Sequence, residues 1–166
     1  MRHYNRPMLL AVLTISDRCS QGLMTDTAGP AVAALLRAQW PDVEVRTQLL
    51  ADDEPAIATA LADLAHQGVA LTLTVGGTGL GPRDRTPEAT RRVLDRAVPG
   101  LAEVMRAHGA QRNRFAWLSR AVAGLSGSML IVNLPGSERG ARESLESILP
   151  LLPHALDVAS GGHIHP

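Results

Sequence analysis

Residues 72–90 read TLTVGGTGLGPRDRTPEAT, which describes in order an apolar strand, a glycine-rich loop and the start of a helix. Glycine occupies four of the six positions 76–81. Thr86 is a good N-cap, and Pro87 suits the first helical position, where its missing N–H costs nothing. Exposed loop amides and the positive end of a helix dipole are typical of a site for a negatively charged group. The stretch therefore predicts an anion-binding loop within an α/β fold.

Strand and helix patterns alternate along the rest of the chain. Short apolar or alternating runs predict strands at residues 8–15, 43–50, 69–75 and 128–133. Helical patterns occupy residues 28–39, 87–97, 99–107 and the stretch from Asp52 or Asp53, as N-cap, to Gly68. Residues 109–125 favour a short helix followed by an edge strand, and the last helix, broken or kinked at Pro150 and Pro153, follows a cap at Ser137. This order predicts a three-layer α/β/α sandwich with a mainly parallel sheet, and residues 1–166 form one domain.

Length and composition exclude several classes of protein. The chain has 166 residues, 45% of them hydrophobic, which suits one domain with a real core. Sixteen basic residues balance sixteen acidic ones, which argues against the basic surface that nucleic-acid binding needs. Every basic residue is arginine, so Schiff-base chemistry and the lysine of a P-loop kinase are excluded.

Cysteine usage and hydropathy predict where the protein works. The lone Cys19 cannot form an internal disulfide, which fits a reducing compartment. No segment approaches the ~20 apolar residues of a membrane span. The apolar run near the start of the chain is too short for a signal peptide, and polar residues follow it too soon. We therefore expect a soluble, cytoplasmic protein with neither a membrane nor a nucleic-acid partner.

Asp84 raises a question about charge, since a carboxylate beside a bound anion is repulsive unless a divalent cation lies between them. Mg²⁺ commonly uses one or two carboxylates together with phosphate oxygens and water. Asp52 follows the second predicted strand and emerges at the same rim of the sheet, so it is the natural second ligand. The plainer interpretation of Asp52 alone is a helix N-cap.

Other interpretations of the glycine loop can be tested against the residues. A dinucleotide-binding fingerprint would need glycine where Pro82 stands, and a Walker A loop would need a lysine. A second loop, residues 133–140, also leads from a strand into a capped helix and is another plausible anion site. The remaining alternative is a glycine-rich connector without a ligand.

Four motifs together resemble the molybdopterin-binding family that includes the MogA and MoaB proteins and the G domain of gephyrin. They are TISDR at 14–18, GGTGLGPRDRTPEAT at 76–90, LSR at 118–120 and LIVNLPGS at 130–137. The resemblance implies the same three-layer fold, commonly assembled as a homotrimer, and a role in molybdenum cofactor biosynthesis. Its catalytic members use Mg²⁺, transfer AMP from ATP to the terminal phosphate of molybdopterin and release pyrophosphate. The alternative is a non-catalytic molybdopterin-binding or carrier protein of the MoaB type. A molybdate-inserting enzyme of the same pathway is implied as a further partner.

The resemblance also implies a set of site residues. Asp52 and Asp84 match two functional carboxylates that would handle magnesium and pyrophosphate. The implied substrate- and nucleotide-binding residues are Ser16, Asp17, Gly76, Gly77, Thr78, Gly79, Arg83, Thr86, Ser119, Arg120, Asn133, Pro135, Gly136 and Ser137. Arg83 and Arg120 are interpreted as phosphate partners, the alternatives being solvated side chains or a subunit contact. His163 and His165 near the end of the chain could bind a metal, although a disordered terminus is the favoured interpretation.

Overall fold

Six strands form one sheet in the computed structural model, which describes residues 8–162. The strands are β1 (Leu9–Ile15), β2 (Glu44–Leu50), β3 (Leu71–Val75), β4 (Arg96–Ala97), β5 (Ala123–Ser126) and β6 (Met129–Leu134). Their spatial order is β2-β1-β3-β6-β5-β4. The first four in that order are mutually parallel, whereas β5 and β4 are antiparallel to their neighbours. The prediction of a mainly parallel sheet is confirmed.

Helices cover both faces of the sheet. They are α1 (Asp17–Ser20), α2 (Ala28–Gln39), α3 (Glu54–His66), α4 (Thr86–Val93), α5 (Pro99–Ala110), α6 (Glu138–Ile148) and α7 (Leu152–Ala159), with a 3₁₀ helix at Arg114–Leu118. One core cluster joins α2, α5, α6 and α7 to the sheet, and the other joins α3 and α4 to its opposite face. Along β1, Leu10 and Val12 belong to the first cluster and Leu13 to the second. The continuous apolar run of β1 is explained by this burial on both faces.

The parallel register places four loops at one edge of the sheet. Ile15 pairs with Leu50, Thr14 pairs with Val75, and Val75 pairs with Leu134. Since these residues stand at the carboxyl ends of their strands, the loops that follow must leave side by side. This is the edge at which ligands bind in open α/β sheets.

Most predicted elements are confirmed, but the predicted helix at 87–97 is too long. α4 ends at Val93, and Leu94 takes an extended ψ of 131°. Asp95 N and Val98 N donate to Leu125 O and Ala123 O, each at 2.8 Å, so the intervening residues form strand β4 instead. Sheet pairing overrides the local helical preference of this stretch. The predicted edge strand at the end of 109–125 is therefore interior, since β5 lies between β6 and β4.

The ends of the helices test the predicted N-caps and the predicted break of the last helix. Asp53, rather than Asp52, caps α3, because its carboxylate accepts from Ala56 N at 2.8 Å. Ser137 caps α6 as predicted. Thr86 is not an N-cap, because it is already the first residue of α4 and Arg85 precedes it without a side-chain cap. The predicted break of the last helix is confirmed between α6 and α7, and Pro153 lies in the first turn of α7.

Two sequence predictions concern termini and membranes. His163 and His165 lie outside the described residues. Within residues 8–162, no helix has the length and apolar character needed to cross a bilayer.

Candidate active site at the carboxyl edge of the sheet

The loops after β1, β3 and β6 meet around two glycines. Gly76 and Gly77 have φ angles of 109° and 65°, in the region that favours glycine. A side chain at Gly76 would collide with the carbonyl oxygen of Ile15. A Cβ at Gly136 would lie 3.2 Å from Gly76 Cα. The backbone at this junction therefore requires glycine because three loops pass in direct contact.

Asp17 and Asp52 join the loops that follow β1 and β2. Asp17 N donates to Asp52 Oδ2, and Asp52 N donates to Asp17 Oδ1, both at 2.9 Å. Ser16 stands beside this pair and caps the short helix α1 by accepting from Cys19 N at 3.2 Å. Asp52 is thus held at the rim by a tertiary contact, and the N-cap interpretation does not apply to it.

Arg83 reaches across from the glycine loop to Asp17. Its Nε and Nη2 donate to the two carboxylate oxygens at 2.9 and 3.0 Å, and its side chain is 68% exposed. This pairing lowers the pKa of Asp17 below its ordinary value. The sequence assigned Arg83 to a phosphate, and in this structure the guanidinium is already neutralised by a carboxylate that a phosphate would have to replace.

The Asp52 carboxylate is the least favourably placed charge of the site. Burial raises its pKa above the ordinary value. The hydrogen bond from Asp17 N lowers this pKa, whereas repulsion from the Asp17 and Asp84 carboxylates raises it further. Its Oδ1 lies 3.0 Å from the position that a Cβ on Gly77 would occupy. Asp84 presents one oxygen to Gly81 N at 2.8 Å, which closes the turn of the loop.

These carboxylates fit a divalent cation. Two acidic side chains that repel each other across a glycine loop are relieved by a doubly positive ion, and Mg²⁺ needs no more than one or two protein carboxylates. The described part of the chain has no cluster of three or more His, Cys, Asp or Glu side chains arranged for a metal. Asp52 and Asp84 would be the residues to hold such an ion, and this assignment stays a prediction.

Thr86 has a buried hydroxyl without a partner among the described residues. Its backbone N donates to Gly77 O at 3.1 Å, and its Oγ1 occupies the space that a side chain at Gly77 would need. The Asp52 Oδ1 atom borders the same space. The first residue of α4 thus presents an unused oxygen to the back of the glycine loop.

Arg120 stabilises the glycine loop by hydrogen bonds to its backbone. Its Nε donates to Gly79 O at 2.7 Å, its Nη2 donates to Asp84 O, and its Nη1 pairs with Glu88. Its backbone N also donates to Thr78 O at 3.0 Å. Burial alone would raise the pKa of Glu88, but the bonds from Arg120 hold it below its ordinary value. In this structure the guanidinium holds the loop through bonds to protein oxygens, and its predicted role as a phosphate partner stays a prediction.

Asn133 lies beneath the site. Its side chain is fully buried, and its amide nitrogen donates to Thr74 Oγ1 and Thr90 Oγ1, each at 2.9 Å. Its Oδ1 accepts from Val122 N at 3.2 Å. Asn133 therefore ties β3, α4 and the residue before β5 together, and both of its amide hydrogens are already used.

A cavity of about 410 Å³ opens beside the glycine loop, within the size range of small-molecule sites. Five predicted residues line it: Thr78, Gly79, Ser119, Pro135 and Ser137. Its wall also includes residues that the sequence did not single out: Leu80, Met105, Asn113, Phe115 and Leu118. Phe115 is 63% exposed, and its rarity in a chain with 2% aromatics was the one available signal. The predicted residues thus divide into a charged rim around Asp52 and a cavity around Ser119.

Comparisons with known proteins agree with the family resemblance of the four sequence motifs. A family model described as "Probable molybdopterin binding domain" matches residues 11–154. The molybdopterin adenylyltransferase of Helicobacter pylori (strain J99) is 35% identical over 93% of this chain and 89% of that protein. The molybdenum cofactor synthesis protein cinnamon of Drosophila melanogaster is 38% identical over 87% of this chain and 24% of its own length. The chain spans about a quarter to a half of the longer relatives it matches. A crystal structure of the molybdopterin biosynthesis enzyme MoaB from Thermus thermophilus is 50% identical, with a TM-score of 0.86 over 93% of this chain and 97% of that one.

Proposed function

The chain belongs to the family of probable molybdopterin binding domains, and on this basis we propose that it is a molybdopterin adenylyltransferase of molybdenum cofactor biosynthesis. It would transfer AMP from ATP to the terminal phosphate of molybdopterin. The observation that carries the proposal is that the Asp52 and Asp84 carboxylates both border the glycine loop, beside an adjoining cavity. The adenylyltransferase relative of similar length supports it.

The proposed reaction needs alignment and charge neutralisation more than proton transfer. An oxygen of the pterin's terminal phosphate would form a bond to the α-phosphorus of ATP. The bond from that phosphorus to the bridging oxygen would break, and pyrophosphate would leave with the electron pair. When bound, Mg²⁺ would offset the negative charge that develops on the phosphates. Positioning and electrostatic stabilisation of this kind supply most of the rate enhancement in phosphoryl-type transfers.

Residues of the chain have distinct tasks in this proposal. Asp52 and Asp84 would hold the ion, and the amides of the glycine loop would bind phosphate oxygens. Arg83 would leave Asp17 and pair with a phosphate, since guanidinium binds either group bidentately. The apolar wall at Phe115 and the hydroxyl of Ser137 suit a flat heterocycle with a polar end.

A non-catalytic pterin-binding or carrier role is the second candidate. Arg83 and Arg120 are both already paired with protein carboxylates, which leaves neither guanidinium free to neutralise the charge on a phosphate that is being transferred. This alternative predicts pterin binding without any ATP-dependent product.

The deciding experiment measures pyrophosphate release by the purified protein with ATP, Mg²⁺ and molybdopterin. We expect release only when all three are present, and loss of release when a chelator is added. Pterin binding without release in the complete mixture would instead establish the second candidate.

Asp84→Asn tests the metal role directly. We expect turnover to fall by about a hundredfold or more, while pterin affinity changes little, because the ion acts mainly on the transition state. Asp63→Asn, on the exposed side of α3, removes the same charge away from the site and should leave turnover unchanged. Equal turnover in Asp84→Asn and the parent protein would contradict the metal role.

The same proposal extends to partners. The adenylylated pterin would be consumed by a molybdate-inserting enzyme, so we propose that enzyme as the next to act. A Synechococcus elongatus relative of which this chain covers 47% is a molybdenum cofactor biosynthesis bifunctional protein, which supports close coupling of two steps. We also propose that the chain works in the cytoplasm and assembles as a homotrimer.

A further inference from the structure

A second cavity, of about 550 Å³, lies behind the glycine loop and contains four arginines. It is bounded by the end of α4, strand β4, helix α5 and the chain before β5. The arginines are Arg91, Arg96, Arg106 and Arg120, and the single acidic residue of its wall is Asp95. Arg120 is the only one of these that the sequence assigned to a site.

The positive charge of this cavity is only partly neutralised by the protein. Arg106 donates only to the neutral carbonyls of Ser119 and Ala121, at 3.3 and 3.1 Å. Arg96 has one marginal bond to Gly127 O at 3.5 Å. Within residues 8–162, neither of them forms an ion pair, and Arg91 has no hydrogen-bond or ion-pair partner at all.

The acidic groups near this cavity are already engaged. Asp95 Oδ2 accepts from Gly127 N at 2.5 Å, and Glu88 pairs with Arg120. Four guanidinium groups against these two carboxylates leave a local charge of about +2, whereas the whole chain is neutral. An anionic ligand would offset this excess.

The other wall residues define what kind of anion fits. Leu94, Pro99 and Val122 give the cavity an apolar side in addition to its guanidinium groups. Its volume lies within the range of about 300–1,000 Å³ that is typical of small-molecule sites. Guanidinium groups pair bidentately with phosphate oxygens, and two of them can share one doubly charged head group.

We propose that this arginine cavity is a second ligand site that binds a small organic phosphate monoester dianion. The phosphate contacts Arg91 and Arg96, and the organic part contacts the apolar wall. The site is distinct from the cavity at the glycine loop, since the two share only Arg106 and Ala121 among their lining residues, and Arg91 and Arg96 line the arginine cavity alone. The inference stands independently of the proposed adenylyl transfer.

The test titrates phenyl phosphate into the full-length protein by calorimetry. A chelator is present, and ATP and pterin are absent, so that metal-dependent binding at the glycine loop does not contribute. The Arg91 and Arg96 variants described next separate binding in the arginine cavity from metal-independent binding at that loop. We expect one phenyl phosphate to bind per chain, more tightly than inorganic phosphate, because only the ester reaches the apolar wall. Equal affinity for the two probes, or no binding of phenyl phosphate, would overturn the proposal.

Variants locate the site. Arg91→Gln combined with Arg96→Gln removes two exposed charges and should weaken phenyl phosphate binding by about tenfold or more. Arg142→Gln removes an exposed arginine outside the cavity and should leave binding unchanged. Unaltered binding in the double variant, or an equal loss in Arg142→Gln, would contradict a built site.

Sedimentation of the same variants tests the competing explanation, in which the arginines form a contact between subunits. If the arginine cavity were a contact between subunits, the double variant would dissociate and the parent protein would not bind phenyl phosphate. We expect the double variant to keep the parent's mass.

Discussion

At the scale of single residues, the candidate site contains two groups that disfavour the folded state. The Thr86 hydroxyl is buried without a partner among the described residues, and the Asp52 carboxylate is partly buried beside two other carboxylates. An unsatisfied buried polar group costs about 1–3 kcal/mol. Groups of this kind concentrate where function, and not stability, selects the residue.

Thr86→Val is expected to raise the free energy of unfolding of the metal-free protein by about 1 kcal/mol, since it removes the unpaired hydroxyl and keeps the shape of the side chain. Thr90→Val is the matched control, because Thr90 Oγ1 donates to Thr86 O at 2.8 Å and accepts from Asn133. That variant should be less stable than the parent. Urea denaturation measures both, and a loss of stability in Thr86→Val would show that its hydroxyl has a partner.

Asp52→Asn is expected to stabilise the metal-free protein near neutral pH. Because the folded-state pKa of Asp52 is raised, folding favours its protonated form, and ionisation lowers stability as pH rises through that pKa. The gain should therefore shrink as pH falls and vanish below the ordinary value of 3.8.

Denaturation over a pH series in the presence of a chelator measures this gain. Asp53→Asn serves as the control, since asparagine caps a helix as well as aspartate does. If Asp52→Asn were less stable than the parent at neutral pH, that result would contradict the repulsion inferred at Asp52. Mg²⁺ should stabilise the parent and not Asp52→Asn.

At the scale of secondary-structure elements, the junction of β3 with its loop sets the geometry of the site. The loop is fixed at its start by Gly76, which passes against Ile15 and Gly136, and at its end by Arg120. The carboxylates are held in place because the elements that carry them are in direct contact.

Gly76→Ala should lower the free energy of unfolding by about 3 kcal/mol or more. The new methyl group would meet the Ile15 carbonyl oxygen, and the positive φ of 109° adds strain. Gly127→Ala is the control, with φ of 58° and no atom within 4 Å of the new Cβ, and should cost only about 1 kcal/mol. Similar losses in the two variants, measured by urea denaturation, would contradict the close approach of the loops.

At the scale of the whole molecule, the exposed apolar side chains are the natural contacts of the proposed homotrimer. Leu80, Phe115, Trp117 and Leu118 lie on the glycine loop and the 3₁₀ helix beside the cavity, and Trp117 is 58% exposed. Strand β2 adds an unpaired edge that carries the exposed Leu49. Clustered apolar surface and open strand edges are typical of interaction surfaces.

The proposed homotrimer predicts a mass of three chains of 17.6 kDa, about 53 kDa. Sedimentation equilibrium over a range of protein concentrations measures it, and the fluorescence of the exposed Trp117 should shift on dilution if it is covered. A single-chain mass at all concentrations would contradict the trimer.

The sequence alone was sufficient for features that depend on neighbouring residues. The apolar runs of β1 and β6, the cap at Ser137 and the glycine loop all follow from local preferences, because burial and backbone conformation act within a few positions. The cap of α3 was limited to Asp52 or Asp53, and the structure decided for Asp53. The parallel order of strands then places Asp52 and Asp84 at one edge. The family motifs lie in these same segments.

Only the tertiary structure decided which partners the polar side chains take. Arg83 pairs with Asp17 across 66 residues, and Arg120 braces a loop more than 30 residues earlier in the chain. Strand β4 forms because β5 offers it a pairing partner, and the hydroxyl of Thr86 fits against the glycine loop because Gly77 has no side chain. Such outcomes depend on contacts between distant segments, whose geometry no local pattern of residues contains.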